Sequence, residues 1–250
     1  MPLAYHGSPD YVILSVTMNE ASITKAAIDW VKSNRKALFM GAVERSRYDT
    51  SVKEENPAAT FMAGTPGAGK TEVSTRFAEQ FSVRPVRVDA DEFRGVIPGY
   101  TGHNSHVIQP AAALAVDKVM DIIYKKRYSF ILDGTFAYGH VVVNLKRAQR
   151  KGYNLQVIFV YQDPVQAWRF TKVREQKEGR NVPIDAFIDS YFKARENVKN
   201  AKKEFGGSLD LTLIIKDYIT NSEVIHSDID NIDKYLDKVY NRDELKGLLA

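Results

Sequence analysis

The stretch GTPGAGKT at residues 64–71 places the strongest constraint on how this chain folds. It fits the pattern G-x4-G-K-[ST] at every position, and it lies between an apolar run at 59–63 and a helical pattern at 70–81. Glycines in such a loop let backbone N–H groups point into one concavity, and the following helix adds the positive end of its dipole. The motif therefore predicts a strand, a phosphate-binding loop and a helix in succession.

Each part of the motif has an expected role with a bound nucleotide. Lys70 is expected to reach the β- and γ-phosphates, and the Thr71 hydroxyl is expected to ligate Mg²⁺, so ATP and Mg²⁺ are the expected cofactors. The chain has no N-K-x-D sequence, which a GTPase needs for guanine, so kinases and motor-type ATPases remain. The predicted nucleotide-binding residues are Gly64, Thr65, Pro66, Gly67, Ala68, Gly69, Lys70 and Thr71.

Short apolar runs alternate with helical patterns after residue 58. Apolar strands without clean alternation, separated by helices, predict an α/β fold with a parallel sheet covered by helices on both faces, as in P-loop kinases. The expected strands are 59–63, 86–89, 129–132, 155–161 and 209–215. The expected helices are 70–81, 106–127, 138–151, 164–177, 184–204 and 231–249.

The residues before 58 do not show this alternation of strands and helices. A capping-box pattern of Thr17 and Glu20 predicts a helix over 17–47, and the polar residues 48–57 suggest a linker. We therefore expect a helical segment with linker at 1–57 and a P-loop kinase domain at 58–250.

The chain has no cysteine, which excludes disulfides and thiolate nucleophiles, and it has no apolar run of about 18 residues. A cytoplasmic location is expected.

Acidic residues follow two of the predicted strands. Ligands of an open parallel sheet bind outside the carboxyl ends of its strands, so Asp91 in VRVDADEFR is expected to face the phosphate acceptor. The alternative is that Asp89 or Asp91 only caps the next helix. Asp133 in SFILDGT stands where a Walker-B carboxylate supports Mg²⁺ or contacts substrate, and the alternative is a simple Asp-Gly turn.

A basic segment follows the fourth predicted strand, at residues 169–183. We expect a helix, a mobile loop at Gly179 and a second helix, which together would form a lid over the nucleotide. Of its basic residues Arg169, Lys172, Arg174 and Arg180, we select Arg174 and Arg180 as the ones that reach the phosphates. The alternative is a solvated basic helix.

With these motifs in this order, residues 58–216 resemble the zeta-toxin family of P-loop kinases. The resemblance rests on GTPGAGKT, DADEFR with the following PGY, DGT, VRE and GRNVP. Members of this family phosphorylate UDP-N-acetylglucosamine on its 3′-hydroxyl. The resemblance implies that Asp91 is the catalytic base, that Lys70, Arg174 and Arg180 act on the transferring phosphate, and that the substrate contacts include Asp91, Arg94, Asp133 and Thr135. A well-known member has glutamate where this chain has the shorter Asp133.

The resemblance also implies partners. These are UDP-N-acetylglucosamine or a related UDP-sugar, and an antitoxin protein. Because the antitoxins of the family block the nucleotide site with a helix, the N-terminal helix could inhibit the site from within; the alternative is that it packs on the sheet. No nucleic-acid or membrane partner is expected. Two other functions stay open: a P-loop kinase of another small-molecule acceptor, and a nucleotide-binding switch module without transfer.

Overall fold

The computed structural model of this protein describes residues 19–250. Within this range the strands are β1 (Ala58–Ala63), β2 (Val86–Asp89), β3 (Phe130–Asp133), β4 (Asn154–Gln162), β5 (Leu209–Asp217) and β6 (Ser222–His226). The α-helices of the same range are α1 (Glu20–Ser46), α2 (Lys70–Ala78), α3 (Ala90–Val96), α4 (Ser105–Lys126), α5 (Val141–Arg150), α6 (Pro164–Glu178), α7 (Ile184–Phe205) and α8 (Arg242–Leu249). Between residues 19 and 250, no helix is both long and apolar enough to span a bilayer.

The strands form one sheet in the order β2-β3-β1-β4-β5-β6. Strands β1 to β5 pair in parallel, and β6 runs antiparallel to β5 at the edge. Neighbouring residues of β1 enter different cores, since Phe61 packs in the largest one while Met62 packs with Val73 of α2 on the other face. Burial on both faces explains why these strands lack alternation. The α/β prediction, with a parallel sheet between helices, is confirmed.

Helix α1 belongs to the main core. Its buried side chains join the cluster that also holds the residues of β1 and β2, and Thr24 Oγ1 donates to the carbonyl of Val107 at 2.9 Å. These side chains are Ala27, Val31, Leu38, Phe39, Ala42 and Val43. The helix begins at Glu20 with Asn19 as its cap, which accepts from Ser22 N at 2.9 Å, whereas Thr17 lies outside the described residues.

Three elements differ from the sequence predictions. The single helix predicted at 231–249 is wrong, because Asn231 and Asn241 each cap a separate short helical segment, a 3₁₀ turn at Ile232–Tyr235 and α8. Strand β6 was not predicted, since it is a largely exposed edge strand and carries little hydrophobic pattern. The short α3, which follows β2 directly, was also missing from the predicted elements.

Candidate active site

The GTPGAGKT loop leaves the centre of the sheet, because β1 lies between β3 and β4. Its backbone turns through left-handed conformations at Gly64, Gly67 and Gly69, with φ of 133°, 76° and 86°. A Cβ at Gly67 would lie 2.1 Å from the carbonyl oxygen of Ala167, so α6 packs against the loop too closely for any side chain there. Gly64 N also donates to the Thr135 carbonyl at 3.2 Å, which joins the loop to the tip of β3.

Lys70 begins α2 and is buried beneath the loop. Its Nζ donates to the carbonyls of Gly64 at 3.0 Å and Thr65 at 2.6 Å. Burial lowers the pKa of Lys70 to about 8, against the opposing effect of three carboxylates, those of Asp133, Asp91 and Asp89. The ammonium charge therefore depends on pH just above neutrality.

Thr71 and Ser74 lie on successive turns of α2. Thr71 is exposed toward the cavity in front of the loop, while the Ser74 hydroxyl is buried and donates to Oδ2 of Asp133 at 2.9 Å. Within residues 19–250, no cluster of three or more His, Cys, Asp or Glu side chains can hold a metal ion. A divalent ion in this loop would instead take the Thr71 hydroxyl together with phosphate oxygens and water, which is how Mg²⁺ is commonly bound.

Asp89 and Asp133 end neighbouring strands in paired register. Arg87 contacts both carboxylates, Asp133 at 3.1 Å and Asp89 at 3.3 Å, and also pairs with Glu92. Asp89 accepts from Asp91 N at 2.8 Å and so caps α3, as one of its two predicted roles required. Burial, together with the charges of Asp91 and Asp133, raises the pKa of Asp89 to about 6.

The Asp91 carboxylate is surrounded by arginines. Its Oδ1 pairs with Arg94, and its Oδ2 pairs with Arg180 and with Arg174, the last at 3.1 Å. Burial acts to raise the pKa of Asp91, but the charges of Arg180, Arg94 and Arg174 outweigh it and hold the pKa below the ordinary value. Arg94 is itself buried and also donates to Gln109. Asp91 is therefore an ionised carboxylate at neutral pH.

Of the two selected arginines, Arg174 lies in the C-terminal part of α6 and Arg180 lies between α6 and α7. Helix α6 ends at Glu178, its C-cap Gly179 is left-handed with φ of 71°, and Arg180 follows in the short connection to α7. The Nε of Arg174 also donates to the carboxylate of Glu178 at 2.7 Å, which helps to hold the arginine in place. Lys172 lies over the Trp168 ring instead and pairs with a carboxylate on its own helix. Of the four basic residues considered for the lid, only Arg174 and Arg180 line the cavity.

A cavity of about 1750 Å³ lies in front of these groups. Gly64 and Thr65, the first two residues of the loop, are not among its lining residues, and their carbonyls accept from Lys70. The other predicted residues all line it: Pro66, Gly67, Ala68, Gly69, Lys70, Thr71, Asp91, Arg94, Asp133, Thr135, Arg174 and Arg180. The predicted phosphate-binding, carboxylate and lid residues thus meet around one space.

Several residues of the site were not found from the sequence. Arg87 lies two positions before Asp89 on β2, so both side chains point to the same face of the sheet, and that spacing was an available signal. Gln109, Thr171 and Lys216 line the cavity from three other elements and belong to no motif. Their positions depend on how α4, α6 and β5 pack.

The chain is similar to proteins of known family. The family model described as Zeta toxin matches residues 43–232 of the chain. Toxin PezT of Streptococcus pneumoniae serotype 4 (strain ATCC BAA-334 / TIGR4) is 27% identical over 133 residues, which cover 49% of this chain and 52% of PezT. The chain thus spans about half the length of the curated relative it matches.

Solved structures share the fold. The structure of the PezAT chromosomal toxin–antitoxin system of Streptococcus pneumoniae superposes with a TM-score of 0.54 and 19% identity, over 91% of this chain and 90% of that one. The structure of AvrRxo1-ORF1:-ORF2 with ATP superposes with a TM-score of 0.61 and 12% identity, over 84% of this chain and 70% of that one. At such low sequence identities, these superpositions show a shared fold and nothing more.

Proposed function

The chain belongs to the zeta-toxin family, and from this premise we propose that it is an ATP-dependent kinase acting as a toxin. The acceptor is a sugar hydroxyl, and the family resemblance favours the 3′-hydroxyl of UDP-N-acetylglucosamine. One observation carries the proposal. The GTPGAGKT loop, the carboxylate of Asp91, and the two arginines Arg174 of α6 and Arg180 after α6 line the same cavity. These are the parts that phosphoryl transfer requires, namely positioning and charge stabilisation.

The volume of the cavity supports a reaction between two substrates. Pockets for one small ligand commonly measure about 300–1,000 Å³, and this cavity is larger, at about 1750 Å³. It extends from the loop past Asp91 to Leu114 of α4 and Asn144 of α5. ATP would occupy the end at the loop, and the acceptor would occupy the end between α4 and α5, with Asp91 between them.

Asp91 is proposed to act on the acceptor hydroxyl. Its pKa is held below the ordinary value by the surrounding arginines, so it is too weak a base to ionise an alcohol beforehand. It would instead orient the hydroxyl by accepting its hydrogen bond, and it would take the proton late in the transfer. That order suits a loose transition state, in which the bond to the leaving oxygen is largely broken before the new bond forms.

The positive groups are proposed to neutralise the charge of the transferring phosphate. Lys70 lies beneath the loop, and Arg174 and Arg180 pair with Asp91 at the wall of the same cavity. A triphosphate carries more negative charge than one carboxylate and would draw the arginines toward itself, which would leave an oxygen of Asp91 open to the hydroxyl.

Thr71 is the residue proposed to hold Mg²⁺, since its hydroxyl is exposed to the cavity on the first turn of α2. When bound there, Mg²⁺ would supply positive charge that neutralises the phosphates. Asp133 was predicted to support the metal or to contact the sugar. Its hydrogen bonds from Ser74 and Arg87 favour support of the metal, because they hold the carboxylate beside α2, the helix that follows the loop. Arg94 and Thr135 then remain as the proposed acceptor contacts on this wall.

An antitoxin partner is proposed from the family, since the similar Streptococcus structure is that of a toxin–antitoxin system. Inhibition from within by the N-terminal helix finds no support in α1. None of the residues Glu20–Ser46 lines the cavity, and the buried side of the helix packs in the main core. We therefore propose that this helix is part of the kinase fold.

The test is to incubate the protein with ATP, Mg²⁺ and a panel of UDP-sugars and free sugars, followed by mass spectrometry. A gain of about 80 Da, one added phosphoryl group, on UDP-N-acetylglucosamine alone is the expected result. A gain on another compound would show that the proposed acceptor is wrong and that the proposed kinase activity is right. ATP consumption with no phosphorylated acceptor in the panel would overturn sugar transfer in favour of a nucleotide-dependent switch.

A further inference from the structure

The cavity continues past the loop into a part that phosphoryl transfer does not use. It is lined there by Phe170 of α6 and Tyr218, which follows β5. The two rings meet edge to face, with centroids 4.7 Å apart and planes at 79°. Tyr218 is 62% exposed, which is unusual for a large aromatic side chain. We call this pair the aromatic slot.

The aromatic slot lies immediately beside the phosphate-binding loop. A Cβ at Gly67 would lie 2.8 Å from Oγ1 of Thr171, the neighbour of Phe170. A Cβ at Gly69 would lie 3.0 Å from Nζ of Lys216, two residues before Tyr218. Helix α6 and the end of β5 therefore flank the loop on its outer side, and each carries one of the two rings.

The turn that carries Tyr218 is held in place without a ligand. Lys216 pairs with Glu72 of α2 at 2.6 Å and with Glu223 of β6 at 3.4 Å. Glu223 also pairs with Arg76 of α2. These ion pairs bind the β5–β6 hairpin to the helix that begins in the loop, so the ring of Tyr218 has a defined position relative to the phosphates.

We propose that the aromatic slot binds the base of the nucleotide, with the base stacked on Tyr218 and with Phe170 fixing the orientation of that ring. The inference rests on the proposed function, since it assumes a nucleoside triphosphate in the loop. Stacking a base on an aromatic side chain is favourable for every base because each presents a π-face, and the larger purine rings gain more contact area. The slot therefore takes a purine nucleotide.

The polar groups of the turn indicate how selective the slot is. The Asp217 carboxylate already accepts from the N–H groups of Ile219 at 2.8 Å and Thr220 at 3.3 Å. The hydroxyls of Thr220 and Ser222 are 2.8 Å apart and bond to each other. Asn221 of the same turn also lines the cavity, but these other polar groups bond within the turn itself, so stacking is expected to contribute more than hydrogen-bond recognition. ATP and GTP are expected to bind within about tenfold of each other.

The alternative is that the two rings only pack the hairpin on α6. Binding of ATP and of inorganic tripolyphosphate, measured by calorimetry, separates the two, since tripolyphosphate fills the loop but has no base. Tyr218→Ala is expected to weaken ATP binding by about 10- to 100-fold and to leave tripolyphosphate binding unchanged. Tyr218→Phe, which keeps the π-face, should retain ATP binding. Ile219→Ala is the matched control, as this neighbour in the same turn is 90% exposed.

Three outcomes would overturn the aromatic slot: equal loss of both ligands in Tyr218→Ala, no loss of either, or a wild-type protein that binds ATP no more tightly than tripolyphosphate. Each leaves the phosphate loop and the proposed kinase intact. Conversely, base-dependent ATP binding in a protein that transfers no phosphate to any acceptor would support the slot and overturn the proposed function. The two failures are therefore distinguishable.

Discussion

Arg174 donates from Nη2 to Oδ2 of Asp91 at 3.1 Å, although 83 residues separate them in the chain. Arg180 pairs with the same oxygen, and Arg94 pairs with the other one. The candidate base is thus paired with the side chains that are proposed to act on the phosphate. Binding of a triphosphate and exposure of the base are coupled, because the same arginines serve both groups.

Replacing Asp91 tests this relationship. Asp91→Asn keeps the size of the side chain and removes its charge, so phosphoryl transfer should fall by about 10³-fold or more. ATP affinity should stay the same or rise, because the three arginines lose a competing anion. Glu178→Gln is the matched control, since it removes another carboxylate partner of Arg174 outside the reaction. Unchanged transfer in Asp91→Asn would contradict the role of Asp91.

The lid arginines are expected to act mainly on the rate of transfer. Arg180→Gln should lower kcat by about 10²- to 10³-fold with a much smaller change in the KM for ATP, because the charge is needed most as the phosphoryl group moves. Arg169→Gln, on the same basic segment but outside the cavity, should leave kcat unchanged. Steady-state kinetics of both variants provide the check. Equal losses in the two would indicate a general charge effect.

The pKa of Lys70 predicts how ATP binding varies with pH. Burial lowers this pKa to about 8 in the ligand-free protein, and only the ammonium form attracts phosphate. ATP affinity should therefore be constant at lower pH and fall above pH 8, by at most about tenfold per pH unit. Calorimetric titrations between pH 7 and 9.5 measure this dependence. Lys70→Met should bind weakly and show no decline; a decline that persists there would assign the titration to another group.

The raised pKa of Asp89 predicts that the stability of the protein depends on pH. Its pKa of about 6 in the folded protein exceeds the ordinary value of 3.8, so the unfolded chain releases this proton first as the pH rises. The free energy of unfolding should therefore decrease as the pH rises from about 4 to about 6, and it should show no further decrease from this group above pH 6. Asp89→Asn keeps a favoured helix cap without the charge and should be more stable than the wild type by about 1–3 kcal/mol at pH 7.

Urea unfolding at pH 4 and pH 7 measures the effect of Asp89→Asn, and the gain should nearly vanish at pH 4. Asp89→Ala serves as the comparison, because it removes the charge and the cap together and loses about 1 kcal/mol for the cap. A gain in Asp89→Asn that is equal at both pH values would contradict a titrating carboxylate.

The packing of α1 predicts that this helix is needed for folding. Phe39 is 3% exposed in the main core, so Phe39→Ala should lower the free energy of unfolding by about 3–5 kcal/mol. Its neighbour Met40 is 49% exposed, and Met40→Ala should have little effect. Removing residues 1–47 should give an insoluble or unfolded protein. A soluble, more active truncated protein would instead revive inhibition by this segment.

Much of the site could be predicted because its signals are local. The loop, the acidic residues after β2 and β3, and the basic segment after β4 are each written in a few consecutive residues, and their order indicated the family. The parallel sheet also followed from a local signal, since strands buried on both faces read as continuous apolar runs. The exposed β6 and the interruption between Ile232–Tyr235 and α8 carried no comparable pattern, and they were missed.

The local sequence predicts a phosphate-binding loop, acidic residues after two neighbouring strands, and arginines after β4. Only the tertiary structure decided which groups meet: the arginines on Asp91, Ser74 and Arg87 on Asp133, and Phe170 beside Tyr218. The physical reason is the order of the strands. Residues far apart in the chain become neighbours only after β1 is placed between β3 and β4, and side-chain pairing depends on that arrangement rather than on any local pattern.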